Sequence, residues 1–242
     1  MQLIGMLDSP YVRRVAITLQ LLGLRFEHRS ISVFRTFDQF QAINPVVKAP
    51  SLVCDDRTVL MDSSLIIDYA EALAAPRKSL MPTTIPERQH ALRVIGLALA
   101  ACEKSVQIIY ERELRPADKQ HQPWVQRVSG QLLAAYDALE LEVQRKPLAA
   151  SSAAIDQAGV STAVAWFFTQ ALLPDVVRAE HYPTLGAFSA QAEQLGEFMA
   201  APHGDGTYRD ADEELNNAAS SFRGIASDLA DSDIAREPDR LQ

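Results

Sequence analysis

The chain has 242 residues, 48% of them hydrophobic, enough to bury the core of one large domain or two modest ones. Its net charge of −8 argues against nucleic acid or an anionic membrane surface as the main partner, because both select basic patches. Two cysteines, Cys54 and Cys102, give neither a disulfide framework nor a thiolate zinc site. The five histidines show no ligand spacing, so no metal is expected.

The N-terminus has no basic region followed by an apolar stretch and a small-residue cleavage site, so a cytoplasmic protein is expected. Residues 2–7 form an apolar run without helical period, which predicts a buried strand. Ser9-Pro10 then predicts a helix start, with Ser as N-cap and Pro at the first helical position. Val12, Val15, Ala16, Leu19 and Leu22 follow at helical spacing up to Gly23, a stop. Residues 26–32 read as a second strand, completing the size of a βαβ unit. Residues 34–43 predict a short helix ended by Asn44-Pro45. Residues 51–54 and 58–61 read as a hairpin around Asp55-Asp56, and Asp62-Ser63 starts a helix to about residue 74. This β-α-β-α-β-β-α order is that of a thioredoxin-like domain, assigned to residues 1–75.

Residues 76–86, with Pro76, Pro82 and Pro86, predict a linker. An all-α domain follows over residues 87–202. Leu92, Ile95, Leu99, Cys102, Val106 and Ile109 form one helical stripe; Val125, Val128, Leu132, Ala135 and Leu139 form another. The two predict an antiparallel pair joined through residues 115–123. Residues 161–173 are apolar nearly all round, as in a buried central helix, and residues 183–200 predict another helix. The longest apolar stretch, residues 94–102, is far short of a membrane span. Residues 203–242 form an acidic extension with ten Asp/Glu and four Lys/Arg. Within it, Leu215, Ala218, Phe222, Ile225 and Leu229 predict an amphipathic helix over residues 211–229, lying on the body or on a partner.

Four local features carry a family resemblance: Asp8-Ser9-Pro10-Tyr11, Asn44-Pro45 with Lys48-Ala49-Pro50, Asp62-Ser63, and the apolar helix near Val160. No one of them is specific, but in this order and spacing the chain resembles the glutathione S-transferases, of the bacterial serine type, over roughly residues 1–200. The resemblance implies an α/β thioredoxin-like domain followed by an all-α bundle, with glutathione as co-substrate. It also implies a homodimer and a role in detoxification.

Read alone, Ser9 is a helix cap. In the resembling enzymes a hydroxyl at this position donates a hydrogen bond to the glutathione sulfur, and the positive end of the first helix faces it. Both would lower a thiol pKa from about 8.5 toward neutrality and enlarge the nucleophilic thiolate fraction. Tyr11 is the rival hydroxyl, expected to pack at the interface between the two halves. Ser9-Pro10-Tyr11-Val12 stand where a thioredoxin-type catalyst needs Cys-x-x-Cys, which excludes dithiol chemistry at this helix.

The resemblance further implies a cis bond at Ala49-Pro50 that offers the Ala49 backbone to an extended peptide. Lys48 reads as a partner of the glycyl carboxylate or as a solvated lysine. Asp62-Ser63 reads as a helix cap and, in the same geometry, as the γ-glutamyl site. There Ser63 would meet the carboxylate and Asp62 the amino group. Leu7, Tyr11, Phe34, Tyr110, Arg112 and Trp166 are candidates for the electrophile pocket, with core packing as the rival reading for Leu7, Phe34, Tyr110 and Trp166. Arg112 would attract an anionic substrate or pair with Glu113. One departure stands out. If Ser161 or Thr162 caps the buried helix, Val164 occupies the place of the capping-box acid, a loss of about 1 kcal/mol.

The function expected is transfer of the glutathione thiol to a small hydrophobic electrophile. The alternatives are a non-catalytic stress or regulatory protein of this fold acting through a protein partner, and a glutathione-dependent isomerase or dehalogenase.

Overall fold

The computed structural model describes residues 1–76 and 78–208, so the helix predicted over residues 211–229 lies outside the described residues. The N-terminal part runs β1 (Gln2–Ile4), α1 (Pro10–Leu21), β2 (Glu27–Arg29), α2 (Phe37–Ile43), β3 (Ser51–Val53), β4 (Val59–Met61) and α3 (Ser63–Ala74). This is the order read from the sequence. The four strands form one sheet in the order β2-β1-β3-β4, with β1 parallel to β2 and the other neighbours antiparallel. The sheet is therefore the mixed sheet of a thioredoxin-like fold.

β1 stops at Ile4 rather than running to residue 7. Gly5 turns the chain there with φ +135°, and a Cβ at this position would stand 2.6 Å from a Val12 methyl. Only glycine lets the strand end pass that close to α1. Helix α2 starts at Phe37, three residues later than the periodicity predicts. The Ser32 hydroxyl accepts the Phe34 and Arg35 N–H groups, and Thr36 Oγ1 accepts that of Ser32. These side chains hold a turn against helix formation.

The described remainder is helical: α4 (Ile85–Ile109), α5 (Gln122–Arg145), α6 (Gln157–Leu172), α7 (Pro183–Ala192) and α8 (Gly196–Ala200). Pro86 belongs to the first turn of α4, where its missing N–H is harmless. The buried face of α4 is carried by Ala91, Val94, Ile95, Ala98, Ala101 and Cys102, one position off the predicted stripe, and Leu92 is exposed. Alanines on that face let α5 and α6 approach closely. The predicted helix over residues 183–200 is two helices, because Gln194 and Leu195 turn back onto Gln191 and Ala192.

α6 is buried along nearly its whole length, as read, but it starts one turn earlier than expected. Asp156 is the N-cap and its carboxylate accepts the Gly159 N–H at 2.8 Å. Ile155 before the cap and Val160 at the fourth helical position are both buried in one cluster, the places of a hydrophobic staple. Ser161, Thr162 and Val164 are thus mid-helix residues, and the expected capping deficit does not exist. Tyr136 of α5 donates its hydroxyl to the Ala165 carbonyl of the helix (2.9 Å), and its oxygen lies within hydrogen-bond reach of Thr169 Oγ1 (2.7 Å). One core joins the sheet, α1, α3 and α6, and a second fills the space between α4, α5, α6 and α7. Among the described residues no helix is long and apolar enough to cross a membrane.

Candidate functional site

The mouth of α1 lies at the end of a turn that β1 and Gly5 aim at it. Ser9 is the N-cap residue by backbone position, with Pro10 in the first turn, yet its side chain makes no capping hydrogen bond. The hydroxyl instead lines a cavity of about 610 Å³. The walls of that cavity come from both halves of the chain. Met6, Asp8 and Tyr11 stand beside Ser9; Ile31, Val33, Phe34 and Val47 come from the loops around α2; Val106, Ile109, Tyr110, Phe168 and Leu172 come from α4, the turn after it and α6. The lining is mainly apolar, with Asp8, Ser9, Ser32, Lys48, His203 and the two tyrosine hydroxyls as its polar points.

Phe34 and Tyr110 meet edge-to-face at 5.6 Å between ring centroids, closing the mouth from opposite halves. Tyr110 begins a wide, π-type turn that ends α4, a distortion common where a helix end is shaped for a site. Burial, and then the charge of Asp8, push the Tyr110 phenol above its usual pKa. Burial also raises the Asp8 carboxyl, against the opposing effect of His203.

A second groove of about 550 Å³ adjoins the first. Tyr11, Lys48 and Ala49 line both. Its other walls are Pro50, the start of α3 (Asp62, Ser63, Ser64), and Gly96, Leu99, Ala100 and Glu103 of α4. The Ala49–Pro50 bond is cis. No hydrogen bond among the described residues uses the Ala49 N–H or C=O. Asp62 has φ +73° and caps α3, accepting the Ser64 N–H at 3.0 Å. Its other carboxylate oxygen is 3.6 Å from Lys48 Nζ. Burial, followed by Cys102 and Glu103, drives the Tyr11 phenol far above its usual range, so it is a neutral donor at the junction of the two cavities.

Of the predicted residues, Ser9, Tyr11, Phe34 and Tyr110 line the apolar cavity. Lys48 and Ala49 lie at its junction with the polar groove, and Pro50, Asp62 and Ser63 line that groove. Three expectations for the electrophile pocket fail. Leu7 is fully buried in the core under the sheet, because the chain turns at Gly5 and points it inward. Trp166 is 5% exposed and packs on Tyr136 and Tyr182 at centroid distances of 5.4 and 5.8 Å, on the side of α6 away from the cavity. Arg112 lies in the wide turn, lines neither cavity, and pairs with Asp175 at 3.0 Å rather than with Glu113.

Phe168 and Leu172, which do line the cavity, belong to the same apolar run as Trp166. A helix apolar on all sides gives no periodicity from which to choose a face. His203 and Arg14 also escaped the sequence reading. The first is placed by the turn after α8, and the second is an arginine on the buried face of α1.

Residues 3–78 match the glutathione S-transferase N-terminal domain family. The glutathione transferase family member from Pseudomonas fluorescens Pf-5, solved with bound glutathione, is 26% identical. The match covers 84% of this chain and 98% of that one, with a TM-score of 0.73. The uncharacterized GST-like protein YibF of Escherichia coli K12 is 27% identical over 141 residues, 58% of this chain and 68% of that protein. Maleylpyruvate isomerase, described as a bacterial Zeta-class glutathione S-transferase, shares the fold at a TM-score of 0.67 and 21% identity, over 87% of this chain and all of that one.

Proposed function

We propose that the chain binds glutathione in the groove between Lys48 and Ser64, activates its thiol at Ser9, and transfers it to an apolar electrophile in the adjoining cavity. The observation that carries this reading is the junction itself. A groove that carries Lys48 and, across its lip, the N-terminus of α3 opens, at Tyr11 and Ala49, into an apolar cavity lined by Ser9.

The residues suit a tripeptide with a carboxylate at each end. Lys48 would meet the glycyl carboxylate. The unused N–H and C=O of Ala49 would pair with the cysteinyl backbone. Ser63, Ser64 and the start of α3 would take the γ-glutamyl carboxylate, and Asp62 its amino group. The solved relative with bound glutathione supports the same ligand here.

The sulfur would then lie at the mouth of α1. The Ser9 hydroxyl is not spent on capping, so it is available to donate to a thiolate. The positive end of the helix acts in the same sense. Together they would lower the thiol pKa from about 8.5 and raise the nucleophilic fraction at neutral pH. The thiol proton passes to solvent and the thiolate attacks the electrophilic carbon; as the S–C bond forms, a leaving group departs with its bonding pair in a substitution, or the resulting carbanion takes up a proton from solvent in an addition. Holding both reactants at one junction adds proximity to activation. The apolar walls favour a small hydrophobic electrophile. On the division into residues 1–75 and 87–202, the first supplies the polar contacts proposed for glutathione, and both supply the walls of the electrophile cavity.

The test is isothermal titration calorimetry with glutathione, followed by a conjugation panel of apolar electrophiles. Saturable binding and thiol transfer are expected; no heat and no thermal stabilisation at millimolar glutathione would remove the reading.

A further inference from the structure

Arg14 is an unusual residue to find inside this fold. Its side chain is 2% exposed, on the face of α1 that packs against α3 and α6. A buried guanidinium normally meets a carboxylate, since isolated burial of a charge is strongly unfavourable. Among the described residues Arg14 forms no ion pair. It donates through Nη1 to Ser63 Oγ at 2.9 Å and Ser64 Oγ at 3.2 Å, and through Nη2 to Ser161 Oγ at 3.2 Å. Its Nε is buried without a partner. Burial pulls its pKa down to about 10, which leaves it charged at neutral pH.

The carboxylate whose charge acts on Arg14, Asp62, is committed elsewhere. Asp62 accepts the Ser64 N–H with one carboxylate oxygen and faces Lys48 with the other. The positive charge therefore ends on three hydroxyl oxygens, and two of them, Ser63 and Ser64, lie on the wall of the polar groove in the first turn of α3. A hydroxyl oxygen that accepts from a guanidinium keeps its own hydrogen to donate. The two serines are thus set as donors and polarised by the cation behind them.

We propose that Arg14 is a positioning residue whose missing counter-ion is the ligand: a carboxylate in the groove completes the pair through Ser63 and Ser64. Resting on the glutathione reading, this assigns the α-carboxylate of the γ-glutamyl group as the anion, and makes that carboxylate the feature that selects glutathione over shorter thiols. The helix N-terminus supplies the remaining N–H donors.

The experiment measures, by calorimetry, glutathione against its analogue 4-aminobutanoyl-cysteinyl-glycine, which lacks only that carboxylate. The wild-type chain should prefer glutathione by on the order of 10- to 100-fold, the size expected for hydrogen bonds to a charged group. Arg14→Gln keeps an N–H donor but not the charge, and should collapse most of that preference while binding the analogue nearly as before. Arg14→Lys, which restores the charge, should recover much of the preference. Ser63→Ala leaves Arg14 in place and should lower the preference by removing the relay, so the question remains answerable if Arg14→Gln fails to fold.

Equal weakening of both ligands by Arg14→Gln, as a merely structural role would give, overturns the proposal, as does an unchanged preference in Ser63→Ala. Failure of the wild-type chain to bind either ligand overturns the glutathione reading beneath it. Binding of both with no preference overturns the Arg14 assignment alone.

Discussion

Lys48 Nζ and Asp62 Oδ2 lie 3.6 Å apart across the lip of the polar groove, one from the loop before β3 and the other from the cap of α3. Both side chains are about half exposed, so the pair itself adds little to stability. Its interest lies in what each partner would do with a ligand between them. On the glutathione reading, Lys48→Ala should raise KM for glutathione roughly three- to tenfold with kcat nearly unchanged. Steady-state kinetics with glutathione as the varied substrate is the check, and a fall in kcat at unchanged KM would contradict the assignment.

Ser9→Ala should leave glutathione affinity within about twofold, because the hydroxyl is assigned to the sulfur alone. The apparent pKa of the bound thiol should rise toward its free value of about 8.5. Conjugation at pH 7 should then slow by roughly 10- to 100-fold and recover as pH increases. The thiolate absorbance near 240 nm, followed against pH, reads this directly. An unchanged profile would transfer the role to Tyr11, whose neutral phenol stands at the same junction.

Arg13, the neighbour of Arg14, has the counter-ion that Arg14 lacks. It forms a two-pronged pair with Glu193 at 2.6 and 2.7 Å and donates to the Ala201 carbonyl at 2.8 Å. Its guanidinium also lies over the Phe167 ring. Glu193→Ala would leave that buried charge unpaired and should cost about 3–5 kcal/mol. Urea unfolding monitored by circular dichroism measures the loss. Less than about 1 kcal/mol would mean that water reaches Arg13.

Asp156→Ala removes the cap of α6 and should destabilise the chain by about 1 kcal/mol. Ser161→Ala removes no cap, so any effect it has should come through the Arg14 and Gln157 side chains that donate to its hydroxyl. Parallel melts of the two variants, with and without glutathione, separate these contributions.

Stability should fall on acidification through the histidine range. The His28 ring accepts the Tyr208 N–H at Nδ1 and meets the Gly5 carbonyl at Nε2, which requires the neutral form with its proton on Nε2. Burial lowers its pKa, with the Gly5 carbonyl opposing; burial also lowers that of His203, aided by Arg13. Between the depressed folded value and about 6.5 the unfolded chain binds more protons, so stability rises with pH there. It is fully present above about 6.5 and is lost as pH falls toward the folded pKa. Thermal melts from pH 8 to 5 should show the decline, and His28→Gln should flatten part of it.

The sequence alone determined the order of elements, the start of α1 at Ser9-Pro10 and the start of α3 at Asp62-Ser63. These depend on local chemistry: a proline that tolerates only the first turn of a helix, a carboxylate that caps it, apolar runs of strand length. The sequence could not choose a face on α6, where Trp166 and Phe168 are equally apolar and only packing sends one to the core and the other to the cavity. It misplaced the start of that helix as well, since Asp156 and Ser161 are both good caps and only the burial of Ile155 and Val160 separates them. The partners of Arg13 and Arg14 were also beyond it. Two adjacent arginines on one helix look alike until the fold brings a carboxylate to one and three hydroxyls to the other. Which charges are paired is a matter of distances between segments far apart in the chain, and only tertiary structure sets those.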